Sequence, residues 1–207
     1  MIKSLTKILT VLSLAAVITA CGESDTPVEG KQYSVLPNDL SQLNLPQVTE
    51  VFSLGCGHCR NLEPMLPELE ELTDSKLGKI HVMFNDSAQI AAMIFYSAVM
   101  QSKDQRVPED MKLELFSLVQ NQDLDGQQKQ IELDRIFASR TMVSPYALDE
   151  AQQKELFEYV ELANKVSTEA QINAVPTFIV NGKYEVMLAG HEDIKQIAAT
   201  INYLKNK

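Results

Sequence analysis

The chain has 207 residues, 45% of them hydrophobic, and its 28 acidic side chains against 18 basic ones give a net charge of −10. The hydrophobic share is enough for a buried core. The acidic excess argues against nucleic acid as a partner and against a face lying flat on anionic lipid.

In chain order, Lys3 and Lys7 come before an apolar run over residues 8–18. Such a run suits a secretion signal, since a permanent membrane helix needs about 20 apolar residues. Ala20 fits ordinary cleavage, but the large, branched Ile18 does not. Ile18-Thr19-Ala20-Cys21 instead resembles the lipobox of bacterial lipoproteins, which is cut just before a lipid-modified cysteine. Residues 1–20 are therefore read as a lipoprotein signal peptide and Cys21 as a lipidated anchor, because multiple acyl chains hold where one is marginal. The alternative is an unmodified cysteine beside an ordinary cleavage site. With Cys21 lipidated, one cysteine pair remains and there is no structural disulfide framework, so the fold rests on its core. Residues 21–30 are polar, contain Pro27 and lack apolar periodicity, which predicts a tether.

A first strand is expected over residues 31–36 and a second over 48–54, whose alternation sets Glu50 in line with Val48, Phe52 and Leu54. Cys56-Gly57-His58-Cys59 follows, and then a helix over 60–72. Pro64 and Pro67 interrupt that helix and predict a bend near Pro64. The cysteine pair thus sits where a strand passes into a helix N-terminus, and backbone N–H groups and the helix dipole there stabilise a thiolate. A third strand is expected over 79–84. From residue 86 to about 163 the pattern is helical throughout, a block of about 80 residues and far longer than an ordinary connection. It predicts an inserted helical subdomain. Strand character returns at 177–180 and 184–188 around Asn181-Gly182, a strong hairpin signal because both turn residues take positive φ. A final helix carries Ile194, Ile197, Ala198, Ile201 and Leu204 on one face.

Two cysteines spaced C-x-x-C can close and reopen a small disulfide ring; the competing reading is half of a zinc site. Zinc needs three or four protein ligands, and no second C-x-x-C or H-x-x-x-H follows, so redox chemistry is the stronger reading and no metal is expected.

The element order, the acid-led strand Glu50-Val51-Phe52-Ser53-Leu54-Gly55-Cys56, Glu63 four residues past Cys59, Lys79-Ile80-His81-Val82, and Val175-Pro176-Thr177-Phe178 resemble the DsbA family of thiol:disulfide oxidoreductases. The resemblance implies an α/β thioredoxin fold formed by residues 31–85 and 164–207, with residues 86–163 as an all-helical insertion. It implies no cofactor. It also implies a cis peptide bond before Pro176, turning the Val175 backbone toward the sulfurs, although proline alone leaves a trans, strand-initiating residue open. Two features depart from the family pattern: Gly57-His58 stands where enteric members carry Pro-His, and the chain reads as lipid-anchored.

Cys56 is expected to be the exchanging sulfur and Cys59 the buried resolving one. His58 is expected to hydrogen-bond to or attract the Cys56 thiolate. Glu50 lies on an apolar strand face and needs a partner. The resemblance supplies Lys79, and the two are expected to move protons to and from Cys59, with simple structural pairing as the alternative. Val175 and Pro176 are expected to receive an extended substrate segment as an added strand. His81 and His191 are read as ordinary structural residues. The leading function is an oxidase of reduced or unfolded exported polypeptides. Alternatives are a reductase or isomerase using the same cysteines, or a redox-inactive tethered chaperone. The expected setting is the periplasm-facing cell envelope, with the outer membrane favoured over the inner. The expected partners are substrate polypeptides and a quinone-coupled membrane reoxidase, and the protein is expected to be a monomer.

Overall fold

Alternating apolar side chains divide the interior between the two faces of one sheet. Along a strand, successive side chains point to opposite faces. Phe178 and Val180 accordingly join a core with Leu69, Ile197, Ile201 and Leu204, while Ile179 joins a second core with Phe95, Leu115 and Phe116. The computed structural model describes residues 26–207; the expected signal peptide and the expected lipidation site at Cys21 lie outside the described residues.

Five strands form the sheet: β1 (Tyr33–Val35), β2 (Val48–Phe52), β3 (Leu77–His81), β4 (Thr177–Val180) and β5 (Tyr184–Val186). Their order is β1-β5-β4-β2-β3. Only β2 and β3 are parallel; the other neighbours are antiparallel. A parallel pair needs a crossover, supplied here by α1 (Gly57–Leu62) and α2 (Leu66–Thr73). The bend expected near Pro64 is present: Glu63–Met65 form a tighter 3-10 turn between the two helices. The helix begins at Gly57, earlier than its expected start at Arg60, because Cys56 itself takes the N-cap position.

The third strand lies two residues earlier than expected. Gly78 reads as a breaker in isolation, yet it pairs with Thr49 inside the ladder, and a side chain there would lie 2.5 Å from the Pro46 ring. Glycine is the residue that lets β3 lie against that proline. At the other end, Val82 N–H still donates to the Phe52 carbonyl at 2.9 Å, but Met83 and Phe84 leave the sheet and Phe84 is exposed. Gly30 and Gln32 N–H groups close a turn over residues 28–33, and Pro27 is buried.

The helical block forms α3 (Asp86–Gln101), α4 (Glu109–Gln120), α5 (Gly126–Ala138) and α6 (Glu150–Glu169), and α7 (Ile194–Lys205) closes the chain. Asn85 caps α3, and Asp125 and Asp149 form capping boxes with Gln128 and Gln152. On α6 the buried stripe is Leu156, Ala163 and Val166, while Phe157 faces outward. Among the described residues no helix is long and apolar enough to cross a membrane.

The hairpin signal is realised with φ of 54° at Asn181 and 67° at Gly182. Lys183 N–H closes the turn on the Val180 carbonyl at 3.0 Å. A side chain at Gly182 would lie 2.8 Å from the Ser41 backbone nitrogen. Gly182→Ala therefore combines positive-φ strain with a backbone clash and should cost about 2–4 kcal/mol, read as a lower denaturation midpoint at unchanged m-value.

Candidate active site

β2 is buried at all five positions, and the chain leaves it through Ser53–Gly55 to deliver Cys56 to the start of α1. Cys56 N–H donates to Ser53 O at 3.0 Å, which tightens the turn. From α4, the Gln120 side-chain amide donates to both Leu54 O (2.9 Å) and Cys56 O (3.1 Å), so the helical insertion holds the loop from outside the sheet. Nothing in the spacing of Gln120 marked it for this role.

The two cysteines sit in unlike surroundings. Cys56 is half-buried and accepts the Cys59 N–H at 3.2 Å, while its thiol lies 3.5 Å from the Val175 carbonyl as donor. Cys59 is fully buried. Burial pushes the Cys59 thiol far above its ordinary range, and the contact with the Cys56 sulfur and the Glu50 charge push the same way. The Val175–Pro176 peptide is cis, and the Val175 backbone faces the sulfurs as expected. His58 is exposed, and among the described residues no hydrogen bond joins it to the Cys56 sulfur; the backbone of Cys59 makes that bond instead. A side chain on the outer face of the first helical turn projects toward solvent, whereas the N–H groups of that turn point back at the N-cap.

Behind the cysteines, Glu50 faces Lys79 across the β2–β3 ladder. The Lys79 ammonium bonds Glu50 and, at 2.5 Å, Glu63, whose other oxygen takes Lys112 at 2.9 Å. Burial pushes the Glu50 carboxyl up, partly offset by the Lys79 charge. Burial works against the charge on Lys79 too, but the Glu50 and Glu63 carboxylates outweigh it and hold the ammonium above its usual range. Lys112, on α4, was not anticipated; a lysine on an amphipathic helix ordinarily reads as a solvated residue.

His81, read from sequence as an ordinary strand residue, lies directly under the active-site loop. Leu54 N–H donates to His81 Nε2 at 2.9 Å, so Nδ1 carries the proton and donates to Val82 O at 2.7 Å. Its ring packs edge-on against Phe52. His191 bonds Thr200 and Met187 O near α7, remote in sequence from the cysteines, and keeps its structural reading.

A thioredoxin family model matches residues 45–202. The thiol:disulfide interchange proteins DsbA of Salmonella typhimurium and Escherichia coli K12 are each 26% identical to this chain, over 209 and 218 residues, covering 95% of it and 97% of each relative. The chain belongs to the DsbA family of the thioredoxin superfamily. Among solved structures it is similar to the oxidoreductase NmDsbA1 from N. meningitidis, with a TM-score of 0.65 at 26% identity over 86% of this chain and 92% of that one. DsbL from Salmonella enterica serovar Typhimurium, at 19% identity and a TM-score of 0.68, supports the fold alone. As in the DsbA family, the fold is thioredoxin-like with α3–α6 inserted, and the activity is that of a thiol:disulfide oxidoreductase with Cys56 and Cys59 as its C-x-x-C pair.

Burial lowers the pKa of His81 from 6.5 to about 4. A histidine depressed in this way contributes stability that is fully present above pH 6.5 and is lost as pH falls through 4, because the unfolded chain takes the proton first. The shift corresponds to roughly 3 kcal/mol. His81→Gln should lower stability at pH 7 and flatten the dependence of melting temperature on pH between 6.5 and 4, relative to the parent protein.

Proposed function

We propose that the protein is an oxidase that introduces disulfide bonds into exported proteins through Cys56 and Cys59. The observation that carries this reading is the asymmetry of the pair. The half-buried Cys56 sulfur receives a helix N–H, a contact that strengthens when the sulfur is negative, while Cys59 is buried where a neutral thiol is favoured. The N–H contact favours the reduced pair over the disulfide, which is the bias that an electron acceptor needs, and the burial of Cys59 leaves Cys56 as the accessible, exchanging sulfur.

In the oxidising direction a substrate thiolate attacks the Cys56 sulfur of the Cys56–Cys59 disulfide. Cys59 leaves as a thiolate and takes up a proton. A second substrate thiolate then attacks the substrate sulfur of the mixed disulfide and expels Cys56. Two substrate thiols become one disulfide, and the enzyme keeps the electron pair as its dithiol. Glu50, held by Lys79, is the proposed proton donor and acceptor for Cys59, supported by its burial and its electrostatic influence on that thiol. Val175 and Pro176 are the proposed docking edge, where an extended segment would pair with main-chain groups 3.5 Å from the reacting sulfur. His58 is proposed to act on Cys56 through its charge when protonated, not through a fixed bond.

Cys56→Ser should abolish oxidation of a reduced unfolded polypeptide, and Cys59→Ser should accumulate mixed disulfides at Cys56. Half of the parent rate surviving in Cys56→Ser would end the assignment. A parent protein that only reduces disulfides in this assay would replace oxidase with reductase or isomerase.

We also propose attachment through lipid on Cys21, with the domain facing the periplasm; a quinone-coupled inner-membrane protein is the reoxidising partner if the anchor lies in the inner membrane, whereas an outer-membrane anchor requires another oxidant or a reductant role. Gly22 favours the outer membrane, by the resemblance of the leader to sorted lipoproteins. Fractionation should find the parent protein in membranes and Cys21→Ala in the soluble fraction; a wholly soluble parent protein would remove the anchor.

A further inference from the structure

The oxidoreductase site uses Glu50 and Lys79, but the buried charges beneath it do not stop there. Four side chains form a continuous row: Glu50 to Lys79, Lys79 to Glu63 at 2.5 Å, and Glu63 to Lys112 at 2.9 Å. Glu50 and Glu63 have fully buried side chains, and Lys112 keeps only 7% of its side chain exposed. The row ends at Glu109, 57% exposed and 2.7 Å from Lys112. Three members come from the strand-and-crossover frame, and Lys112 comes from α4 of the insertion.

Charge balance gives Lys112 its importance. A buried carboxylate is costly unless it is paired. Glu63 divides its two oxygens between two ammoniums, whereas Glu50 spends one oxygen on Lys79 and its buried Oε1 has no hydrogen-bond partner among the described residues. Without Lys112, one ammonium would face two buried carboxylates, and the site would relieve its excess negative charge by holding a proton. Glu50, with a free oxygen, is the place for it. Lys79 and Lys112 also border a groove of about 660 Å³ whose lining includes neither Glu50 nor Glu63. The cations therefore stand between solvent and the carboxylates.

We propose that Lys112 is a positioning residue for disulfide exchange: it neutralises Glu63 from the helical insertion and so leaves Glu50 free to take the proton of Cys59. The inference rests on the proton-transfer role of Glu50 proposed above. The charged and titratable groups facing this row are Cys59 on α1, Glu63 in the turn after it, Lys79 and His81 on β3, and Glu109 on α4, with Glu70, Lys76, Tyr96, Asp104, Arg106 and Tyr159 along the groove. Lys112 is among the charges that lower the proton affinity of Glu50, and Glu63 is among those that raise it.

The test follows ring closure in fully reduced protein treated with glutathione disulfide. The Cys56 thiolate displaces one glutathione thiolate and forms a mixed disulfide. Cys59 then loses its proton, attacks the Cys56 sulfur and releases the second glutathione thiolate. Acid quenching and separation of the mixed disulfide from the closed form give the closure rate at each pH.

Lys112→Met should move the acid limb of that profile up by about one pH unit, slowing closure about tenfold at a pH on the limb. Lys112→Arg, which keeps the charge, should stay near the parent profile. Glu63→Gln should move the limb down, and the double variant Glu63→Gln/Lys112→Met, which removes a matched pair, should return it to the parent position. The last two variants carry the test if Lys112→Met does not fold. The pH dependence of Cys56 alkylation, outside the row, should not move in any variant. A limb unmoved in Lys112→Met, an Arg variant as slow as the Met variant, an unmoved Glu63→Gln limb or a displaced double variant overturns the proposal. Glu50→Gln separates the two levels. If it abolishes the pH dependence of closure while the Lys112 and Glu63 variants leave the limb in place, the role of Lys112 alone is wrong. If it leaves the profile unchanged, the role of Glu50 is wrong and the inference falls with it.

Discussion

The parallel pairing of β2 with β3 is the constraint on which the site depends. One register sets Glu50 opposite Lys79 and Phe52 opposite His81. The first pair gives a buried carboxylate its counter-charge, and the second brings an imidazole to the loop that carries Cys56, where it accepts Leu54 N–H. A slip of one residue would turn these side chains to the other face, leaving a carboxylate and an ammonium in apolar surroundings. Gly78, pressed against Pro46, lets the ladder start early enough for that register to form.

The helical insertion does more than cover one face of the sheet. α4 reaches the site twice: Gln120 gathers the carbonyls of Leu54 and Cys56, and Lys112 enters the buried charge row through Glu63. Both are long side chains that span the gap between a helix and the sheet edge, with apolar stems packed and polar ends committed. Movement of α4 relative to the sheet would therefore change both the shape of the cysteine turn and the charge balance behind it. Gln120 and Lys112 thus tie the insertion to the cysteine turn and to the charges behind it.

The two sulfurs differ because their neighbours differ. Cys56 occupies an N-cap, where the unpaired N–H groups of a helix start gather, and Cys59 lies one turn on, where the helix faces the core. Two identical side chains thus acquire unlike surroundings from a three-residue separation, and burial disfavours charge on Cys59.

The sequence by itself determined the order of elements, the inserted helical block, the bend at Pro64, the hairpin at Asn181-Gly182 and the strand-to-helix setting of the cysteines. These are local signals: periodicity, proline, a turn dipeptide and a spaced pair each act within a few residues. The Glu50–Lys79 pair was legible because a charge on an apolar strand face demands a partner, although naming Lys79 needed the family resemblance. What only the tertiary structure decided is long-range. Gln120 is 64 residues from Cys56 and Lys112 is 49 from Glu63, and no local pattern separates such residues from other polar positions on an amphipathic helix. Likewise His81 reads as one more strand side chain until packing buries it beneath Leu54, and His58 reads as a partner of the sulfur until the helix turns it outward and hands that bond to a backbone N–H. Burial and hydrogen-bond partnership belong to the assembled molecule, and the chemistry of these residues is set there.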